Sequence, residues 1–404
     1  MKILIAGGGA AGYMAAITAA ELNPDLDITI AEKSRHLLSK VRISGGGRCN
    51  VTHRPHDIED FSRNYPRGER FLKKILHEFS AADTIAWFAS RGVELKTEPD
   101  GRMFPVTNTS LSIINCLEQA AAKSGVKVKT QLGIHKFKKE GGHFKVEFTN
   151  ESSGIFDKVL ISTGGFPKIE GFNWISEHDI KINEPVPSLF TFNSPSNPIT
   201  SLMGVSVPNA RIRILSTKLE WSGPLLITHW GFSGPAVLKL SAWGARILKE
   251  KNYKFEISIN WQSEHSQDYV RKILSDLRNN KSKSLIISNP KFDIPSRLWA
   301  HLVHTSGIRE NQIWADLSNK MIEKLTLSIN SQHHNIKGKT TFKEEFVTSG
   351  GVDLSEIDYV TMQSKKISGL FFAGEVIDVD GITGGFNFQN AWTTGFLAGK
   401  NMVW

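Results

Sequence analysis

The sequence predicts an α/β fold with a nucleotide-binding domain divided between the two ends of the chain, and three observations lead to this prediction. A strand–helix–strand pattern occupies residues 2–31, where two short apolar strands flank an Ala-rich helix. A buried strand followed by a helix occupies residues 369–401. Residues 186–262 between them have the short alternating apolar runs of β-structure.

Length and composition indicate a globular protein of several domains. The chain has 404 residues, and domains of about 100–200 residues predict two or three units. The net charge of +9 is compatible with nucleic acid, an anionic membrane or a phosphate-rich ligand, but Lys and Arg form no run of five or more. Two cysteines and the lack of about 18 consecutive apolar residues predict a cytoplasmic protein with no membrane span.

The glycine-rich turn after the first strand fits the pattern G-x-G-x-x-G. Gly7 permits the tight turn, Gly9 allows the backbone to approach a pyrophosphate, and Gly12 allows close packing of the helix on the sheet. The acid Glu32 ends the second strand, where its carboxylate could accept hydrogen bonds from ribose hydroxyls. The cofactor-binding residues predicted in this part of the chain also include Ala10, Ala11, Lys33 and Val128.

The remaining patterns define the predicted domains. A discontinuous nucleotide-binding domain would comprise residues 1–187 and 340–404, and it would be split by a β-barrel-like insert at 188–262 and a helical insert at 263–339. We expect a long loop from Ser34 to about Arg54, with three consecutive glycines at its centre.

The carboxyl-terminal region resembles the FAD signature of glutathione-reductase-type flavoproteins. A buried strand leads into Gly374-Glu375, and Gly384-Gly385-Phe386-Asn387 opens the last helix. The resemblance implies that Glu375 contacts the ribityl–pyrophosphate region and that the helix directs its amino terminus at the flavin. A helix dipole there would stabilise negative charge on reduced flavin. The turn at Thr163-Gly164-Gly165 resembles a central turn of the same superfamily.

Further motifs narrow the resemblance to one family. They are Ile43–Thr52, Asp100–Pro105, Thr228–Pro235, Val347–Val352, Thr361–Lys365 and Gly369–Gly385. In order and spacing they resemble the BaiN-like family of bacterial NAD(P)/FAD-dependent oxidoreductases, also called aminoacetone oxidase family FAD-binding enzymes. This resemblance covers nearly the whole chain and implies a Rossmann-type FAD-binding domain split by a β-barrel-like insert and a small helical unit.

The loop at residues 44–50 contains further candidate FAD contacts. Gly45 and Gly46 would let the backbone approach a flat ring, and Arg48 could offset negative charge on the flavin or on an anionic substrate. A disordered glycine hinge is the weaker alternative. The resemblance places Cys49 near the flavin, but the chain has no C-x-x-C or C-x-x-x-x-C pair, which argues against a disulfide-reductase role.

His229 is the second candidate catalytic residue beside Arg48. The resemblance places the insert against the flavin, so His229 could donate a proton, although a structural histidine is at least as good an interpretation. His333 and His334 are adjacent, without metal-ligand spacing, and we assign them to a solvated polar loop. No metal site is predicted.

These observations predict an FAD-dependent oxidoreductase that transfers hydride between flavin and a small organic substrate. No second G-x-G-x-x-G with a following acid exists, so NADH or NADPH would dock only transiently. The alternatives are a flavin-dependent RNA-modifying enzyme, disfavoured because no basic stripe alternates with aromatic residues, and a non-catalytic FAD-bound sensor or partner-binding protein. The sequence does not determine the substrate or the oligomeric state.

Overall fold

The structure, a computed structural model, describes residues 1–341 and 347–404. Residues 342–346 of the predicted carboxyl-terminal segment 340–404 lie outside the described residues. The chain forms two compact units. The first unit comprises Met1–Ser188 and the described residues of Lys343–Trp404, and the second comprises the described residues of Leu189–Phe342.

The strands and helices of the described residues are given in chain order. The strands are β1 (Lys2–Ala6), β2 (Asp27–Ala31), β3 (Thr52–His53), β4 (Leu95–Thr97), β5 (Arg102–Pro105), β6 (Lys127–Lys129), β7 (Ile134–Glu140), β8 (His143–Phe148), β9 (Ser153–Phe156), β10 (Lys158–Ile161), β11 (Ile182–Ser188), β12 (Thr191–Asn193), β13 (Ser206–Ile214), β14 (Glu220–Thr228), β15 (Gly231–Ser233), β16 (Lys254–Asn260), β17 (Gln332–Lys337), β18 (Lys339–Thr340), β19 (Val347–Val352) and β20 (Leu370–Phe372). The helices are α1 (Ala10–Leu22), α2 (Ser39–Gly47), α3 (Ile58–Ser62), α4 (Glu69–Ile75), α5 (Ala81–Ala89), α6 (Leu111–Lys123), α7 (Asn173–Ser176), α8 (Pro235–Glu250), α9 (Gln267–Asn280), α10 (Ser296–Thr305), α11 (Asn319–Asn330) and α12 (Phe386–Asn401).

The first unit is built on a five-stranded sheet in the order β20-β10-β1-β2-β6, in which every neighbouring pair is parallel. The strands β1, β10 and β20 are almost wholly apolar and buried, as expected where both faces of a parallel sheet are covered. Helices α1 and α12 pack closely together, because a Cβ on Gly395 would lie 2.5 Å from the carbonyl oxygen of Ala11. The last helix is therefore part of the core around the first one.

Three smaller sheets complete the first unit. They have the strand orders β3-β5-β4, β7-β8-β9 and β11-β19. The antiparallel meander β7-β8-β9 agrees with the alternating pattern of its sequence, with Phe144, Val146 and Phe148 facing inward. The sheet β11-β19 joins strands from the two chain segments of this unit.

The second unit contains a curved antiparallel sheet in the order β17-β16-β13-β14-β15-β12-β18. Its two edge strands, β17 and β18, are separated in the chain only by Gly338. The sheet therefore curves back on itself like a barrel, and Gly338 accepts a hydrogen bond from the N–H of Asn193 at 3.0 Å. Apolar side chains from the sheet and from α8 to α11 form one core, which includes Ile257, Trp299 and Leu325.

Two local predictions from the sequence are wrong, the long loop and the loop position of His333 and His334, and one predicted segment contains a helix that was not predicted. The segment predicted as a long loop contains α2 and β3, and glycine has a positive φ at Gly45–Gly47, where the helix is interrupted. The predicted β-barrel-like segment contains the 16-residue helix α8, which begins at Pro235. His333 and His334, assigned to a solvated loop, lie on strand β17, where His334 is buried.

Candidate cofactor site

Four of the predicted cofactor-binding segments follow strands of the parallel sheet. Strand β1 leads to Gly7, β2 to Glu32, β10 to Thr163 and β20 to Gly374. Because these strands are parallel, their carboxyl ends lie at one edge of the sheet. Ligands of open α/β sheets bind at this edge. The structure thus brings together residues that are separated by more than 300 positions in the chain.

The three motif glycines have different surroundings. Gly7 has a φ of +111°, and a Cβ there would lie 2.4 Å from the carbonyl oxygen of Ser162. A Cβ on Gly12 would lie 2.1 Å from the carbonyl oxygen of Gly7, so only glycine permits this approach of helix to turn. A Cβ on Gly9, by contrast, would meet no atom within 4 Å. Gly9 thus faces open space, where a pyrophosphate could approach the backbone.

The carboxylate of Glu32 lies beside this turn. It accepts hydrogen bonds from the backbone N–H groups of Gly8 at 2.9 Å and Ser34 at 2.8 Å. These contacts hold the acid next to the open side of the turn, where a ribose would follow a bound pyrophosphate. Two further predicted contacts, Lys33 and Val128, are exposed near the end of β2 and on β6.

Glu375 joins three other parts of the first unit. Its carboxylate accepts a hydrogen bond from the N–H of Thr348 at 2.9 Å and forms an ion pair with Lys40. Gly164 and Gly165 face this carboxylate, because a Cβ on Gly165 would lie 3.1 Å from it. Its position agrees with the predicted contact to the ribityl–pyrophosphate region of FAD, which stays a prediction.

Two buried polar atoms near Glu375 have no hydrogen-bond partner among the described residues. They are Oγ1 of Thr348, beside Gly165, and Oδ1 of Asn390, whose amide approaches the carbonyl oxygen of Gly374 at 3.5 Å. Leaving a buried polar atom unpaired costs about 1–3 kcal/mol. A polar ligand at this edge of the sheet would satisfy such atoms.

The helices α1 and α12 both begin without a side-chain cap. Their N-cap residues are Gly9 and Gly385, and neither helix has an acidic residue in its first turn. The predicted contacts Ala10 and Ala11 belong to the first turn of α1. The free N–H groups and the positive end of a helix dipole favour an anion at each start. These residues fit FAD, which has a pyrophosphate for one helix and an electron-accepting ring for the other.

The triple-glycine loop presents open backbone and a restrained cation. Gly46 and Gly47 have positive φ values, and a Cβ on either would meet nothing within 4 Å, whereas a Cβ on Gly45 would lie 2.7 Å from the ring of Phe104. The guanidinium of Arg48 lies 3.9 Å from the centroid of the Phe104 ring and donates to Glu98 at 3.1 Å. Arg48 is therefore held by a cation–π contact and an ion pair.

The next two residues of this loop face the protein interior. Cys49 is fully buried, and burial raises the pKa of its thiol to about 12. A thiol in this state is no nucleophile near neutral pH. In the orientation that satisfies its hydrogen bonds, the Asn50 amide donates to the carbonyl oxygen of Thr52 and accepts from the N–H of Gly385, both at 3.0 Å. Asn50 thereby connects this loop to the start of α12.

Two predicted FAD contacts, Phe386 and Asn387, lie at the start of α12, and their side chains contact other parts of the protein. Phe386 is buried, with its ring centroid 5.0 Å from that of Phe61 and 5.8 Å from that of Tyr65. Asn387 closes the preceding loop by donating to the carbonyl oxygen of Gly381 at 2.8 Å and accepting from its N–H at 2.9 Å. Any contact of these two residues with a flavin would therefore come from their backbone N–H groups.

A buried ion pair anchors the loop before α12. Arg67 donates to the carboxylate of Asp380, which is fully buried and also accepts from the hydroxyl of Ser188 at 2.8 Å. Burial raises the pKa of Asp380, and the adjacent guanidinium opposes that shift. The sequence motif contains Asp380 but gives no sign of its partner.

His53 is a candidate that sequence reasoning missed. Its Nδ1 lies 3.0 Å from the carbonyl oxygen of Gly384, which can only accept, so the proton is on Nδ1. Its ring stacks on Phe386 with a centroid distance of 4.8 Å. His53 directly follows the motif Ile43–Thr52, and this position was the available signal. His229 lies in the second unit, between β14 and β15, and its ring contacts Trp230.

Neither a metal centre nor a membrane-spanning helix is found within residues 1–341 and 347–404. In that part of the chain, no group of three or more His, Cys, Asp or Glu side chains is arranged to hold a metal ion. None of its helices combines the length and apolar character that a membrane span requires.

Comparison with known proteins places the chain in a family. The family described as "HI0933-like protein Rossmann domain" matches residues 1–401. The chain therefore belongs to this HI0933-like family, and the predicted family and fold class are confirmed. At the level of the family, the predicted class of FAD-dependent oxidoreductase is confirmed as well.

Two curated relatives match over nearly their whole length. The chain is 27% identical to the 3-dehydro-bile acid delta(4,6)-reductase of Clostridium scindens, over 99% of this chain and 98% of that protein. It is 28% identical to the ribosomal RNA dihydrouridine synthase of Haemophilus influenzae, over 97% of this chain and 96% of that protein.

Solved structures show the same fold at low sequence identity. The E. coli quinol fumarate reductase subunit FrdA matches with a TM-score of 0.50 and 14% identity, over 100% of this chain and 70% of that one. The 3-ketosteroid delta1-dehydrogenase of Sterolibacterium denitrificans matches with a TM-score of 0.50 and 11% identity, over 99% of both chains.

Proposed function

We propose that this member of the HI0933-like family uses FAD to reduce a carbon–carbon double bond conjugated with a carbonyl group in a small organic substrate. The hydride would come from NADH or NADPH, which would dock transiently, and the second hydrogen would be a proton. One observation carries the proposal: the chain is equally similar to two relatives whose names share only this chemistry.

The two names describe additions of hydrogen. A delta(4,6)-reductase of a 3-dehydro bile acid acts on double bonds of a 3-oxo compound, and dihydrouridine is uridine with two added hydrogens. The double bond of uracil is also conjugated with a carbonyl group. The identities of 27% and 28% favour neither substrate, so they support the shared reaction rather than one molecule.

The residues of the first unit have distinct parts in this proposal. When bound, FAD supplies the hydride chemistry. The turn at Gly7–Gly12 and the start of α1 would hold the pyrophosphate, and Glu32 would hold the ribose. The start of α12 would stabilise negative charge on the flavin ring.

Arg48 and His229 are proposed to contact the substrate, and His53 is a second candidate for the proton donor. Arg48, fixed between Phe104 and Glu98, would orient the substrate carbonyl and stabilise charge that develops on it. His229 is the proton donor proposed from the family resemblance. His53 is a second candidate donor because it lies at the start of α12; it would donate from Nε2 as the imidazolium, since the proton on Nδ1 is bonded to the Gly384 carbonyl.

The test begins with the visible spectrum of the purified protein, which we expect to contain flavin bands. Anaerobic NADH or NADPH should bleach these bands, and a 3-oxo-4,6-diene bile acid or cyclohexenone should restore them while the absorbance of the conjugated substrate disappears. Flavin that is bleached by a nicotinamide but not restored by any conjugated carbonyl compound would contradict the proposed reaction.

Arg48→Ala tests the substrate contact, and Arg102→Ala is the matched control. Arg102 lies over the same Phe104 ring, 5.5 Å from its centroid, but forms its ion pair with Asp100. We expect Arg48→Ala to slow substrate reduction by about 100-fold or more, in the range found for loss of one stabilising donor, while Arg102→Ala keeps the activity. Equal activities of the two variants would remove Arg48 from the proposal.

A second candidate function is reduction of uridine in RNA. It is favoured by the two relatives named ribosomal RNA dihydrouridine synthase, from Haemophilus influenzae at 28% identity and from Escherichia coli at 25%. Restoration of the flavin bands by RNA, with dihydrouridine detected by mass spectrometry and no reaction with free conjugated ketones, would favour this candidate over the first.

A further inference from the structure

The positive charge of the chain is concentrated in the second unit. Residues 189–341 contain 20 Lys and Arg against 10 Asp and Glu, a formal charge of +10. The rest of the chain contains 29 basic against 30 acidic residues, a charge of −1. The whole net charge of +9 is therefore a property of the insert, and a FAD-binding role of the first unit does not account for it.

Part of this charge forms a defined surface on the barrel-like sheet. Strands β13, β16 and β17 are adjacent, and their buried side chains alternate with exposed ones. We call the exposed cationic and imidazole side chains of these strands the basic face; they are Arg211, Arg213, Lys254, His333 and Lys337. Since strand register aligns Arg213 with Ser258 and Ser258 with His333, these three share one row on the outer side.

The two lysines of the basic face repel each other, whereas Arg213 lies opposite Glu220 in the pair β13-β14. Lys254 and Lys337 are directly opposite each other in the antiparallel pair β16-β17. Like charges in such a pair destabilise the sheet. Among the described residues, neither lysine has a carboxylate within ion-pair distance, although Glu256 lies on the same face. Arg211 likewise donates to neutral groups, the hydroxyl of Ser222 and the carbonyl oxygen of Ser263.

A polar cavity borders the same face. Its volume is about 390 Å³, and its lining includes His333, Asn335 and Lys337 of β17 together with His301 and Thr305 of α10. These side chains offer imidazole, amide, hydroxyl and ammonium groups, which can bind phosphate oxygens and base edges. The cavity therefore extends the basic face with groups that form directed hydrogen bonds.

We propose that the basic face and this cavity bind single-stranded RNA. The polar residues between the cations, Ser258, Asn260 and Asn335, favour RNA over a membrane, since membrane-binding surfaces place apolar side chains beside their cations. The inference deepens the second candidate function and rests on it for the base that would be reduced, but binding itself can be tested without catalysis.

The experiment measures the binding of the full-length, FAD-loaded protein to a labelled 20-nucleotide uridine-containing RNA by fluorescence anisotropy. Four cations that contact phosphates predict a slope of log K against log salt of about −3 for a single strand. Lys254→Gln with Lys337→Gln should weaken binding at least fivefold and make the slope about 1.4 less steep. The matched control, Lys123→Gln with Lys145→Gln, removes two exposed lysines of the first unit and should bind as the unchanged protein does.

Three outcomes would overturn the proposal. They are no RNA binding at 50 mM KCl, equal binding by the two double variants, and retention of the protein by phosphatidylglycerol vesicles but not by RNA. The flavin absorbance and the formation of dihydrouridine in the RNA, detected by mass spectrometry on the same samples, report separately on the second candidate function. RNA binding without reduction, or reduction without RNA binding, would thus identify which of the two proposals fails.

Discussion

Substitution of Gly9 by alanine separates cofactor binding from folding. The backbone of Gly9 has φ −97° and ψ −171°, which alanine adopts freely, and the added Cβ would meet no atom within 4 Å. Alanine should stabilise the flavin-free protein by about 0.4–1 kcal/mol through reduced chain entropy. Alanine is also a poorer N-cap than glycine, and this should lower the free energy of unfolding by a similar amount. The midpoint of thermal unfolding should therefore change by only about 3 °C or less.

The same methyl group should obstruct the pyrophosphate. Loss of one hydrogen bond to a charged group costs about 1.5–3 kcal/mol, so the dissociation constant for FAD should rise about 10- to 100-fold. The assays are calorimetric titration of flavin-free protein with FAD and thermal unfolding followed by circular dichroism.

Gly12→Ala is the matched control for this experiment. Its Cβ would lie 2.1 Å from the carbonyl oxygen of Gly7. Overpacking of this kind costs about 1–3 kcal/mol and should lower the unfolding midpoint by about 2–10 °C. If Gly9→Ala binds FAD as tightly as the unchanged protein, the pyrophosphate does not lie at Gly9. Destabilisation as large as that of Gly12→Ala would contradict the open space around Gly9.

Three further predictions concern a buried ion pair and two histidines. Arg67→Met should destabilise the protein by about 3–5 kcal/mol in urea unfolding, because it leaves the fully buried Asp380 carboxylate without its partner; an effect below 1 kcal/mol would contradict this. Burial lowers the pKa of His334 from 6.5 to about 4, so the unfolded chain binds more protons between these values and stability falls on acidification. The loss from pH 7 to pH 4 should be about 3 kcal/mol, and His334→Gln should reduce that dependence in unfolding curves measured at both pH values. His53→Asn, which keeps a donor towards the Gly384 carbonyl, should slow substrate reduction about 100-fold in steady-state assays with unchanged flavin content; unchanged turnover would leave His229 as the proposed donor.

Local sequence patterns predicted the parts of the fold that depend on local interactions. The strands β1 and β2 and the helix α1 follow from apolar runs and motif glycines within the first 31 residues, and the structure has the predicted strand–helix–strand order over residues 2–31. The glycine run at 45–47 was misread as part of a long loop, because a helix can continue up to residues with positive φ. Helix α8 was missed because it lies between short strands, whose alternation dominated the pattern of the segment.

The parts of the site that escaped prediction depend on contacts between distant residues. His53 and Gly384 are 331 positions apart, and Arg67 and Asp380 are 313 apart. Sequence periodicity and spacing do not predict such contacts, because the two residues of each pair come together only when the whole first unit packs. The basic face is a similar case, since its cations are scattered in the sequence and adjoin only through the strand register of β13, β16 and β17.

The division of the first unit between the two chain ends has a consequence for biosynthesis. Strand β20 and helix α12 are translated after the complete insert, yet β20 pairs with β10 and α12 packs on α1 through Gly395. Contacts of such sequence separation are slow to form, and domains fold in order as the ribosome delivers them. The second unit should therefore fold on the nascent chain. The first unit cannot complete its parallel sheet, or the sheet edge proposed to bind the cofactor, until the last residues have been translated. Flavin uptake would then be a post-translational event, and a ribosome stalled before residue 370 would carry a folded insert beside an incomplete sheet.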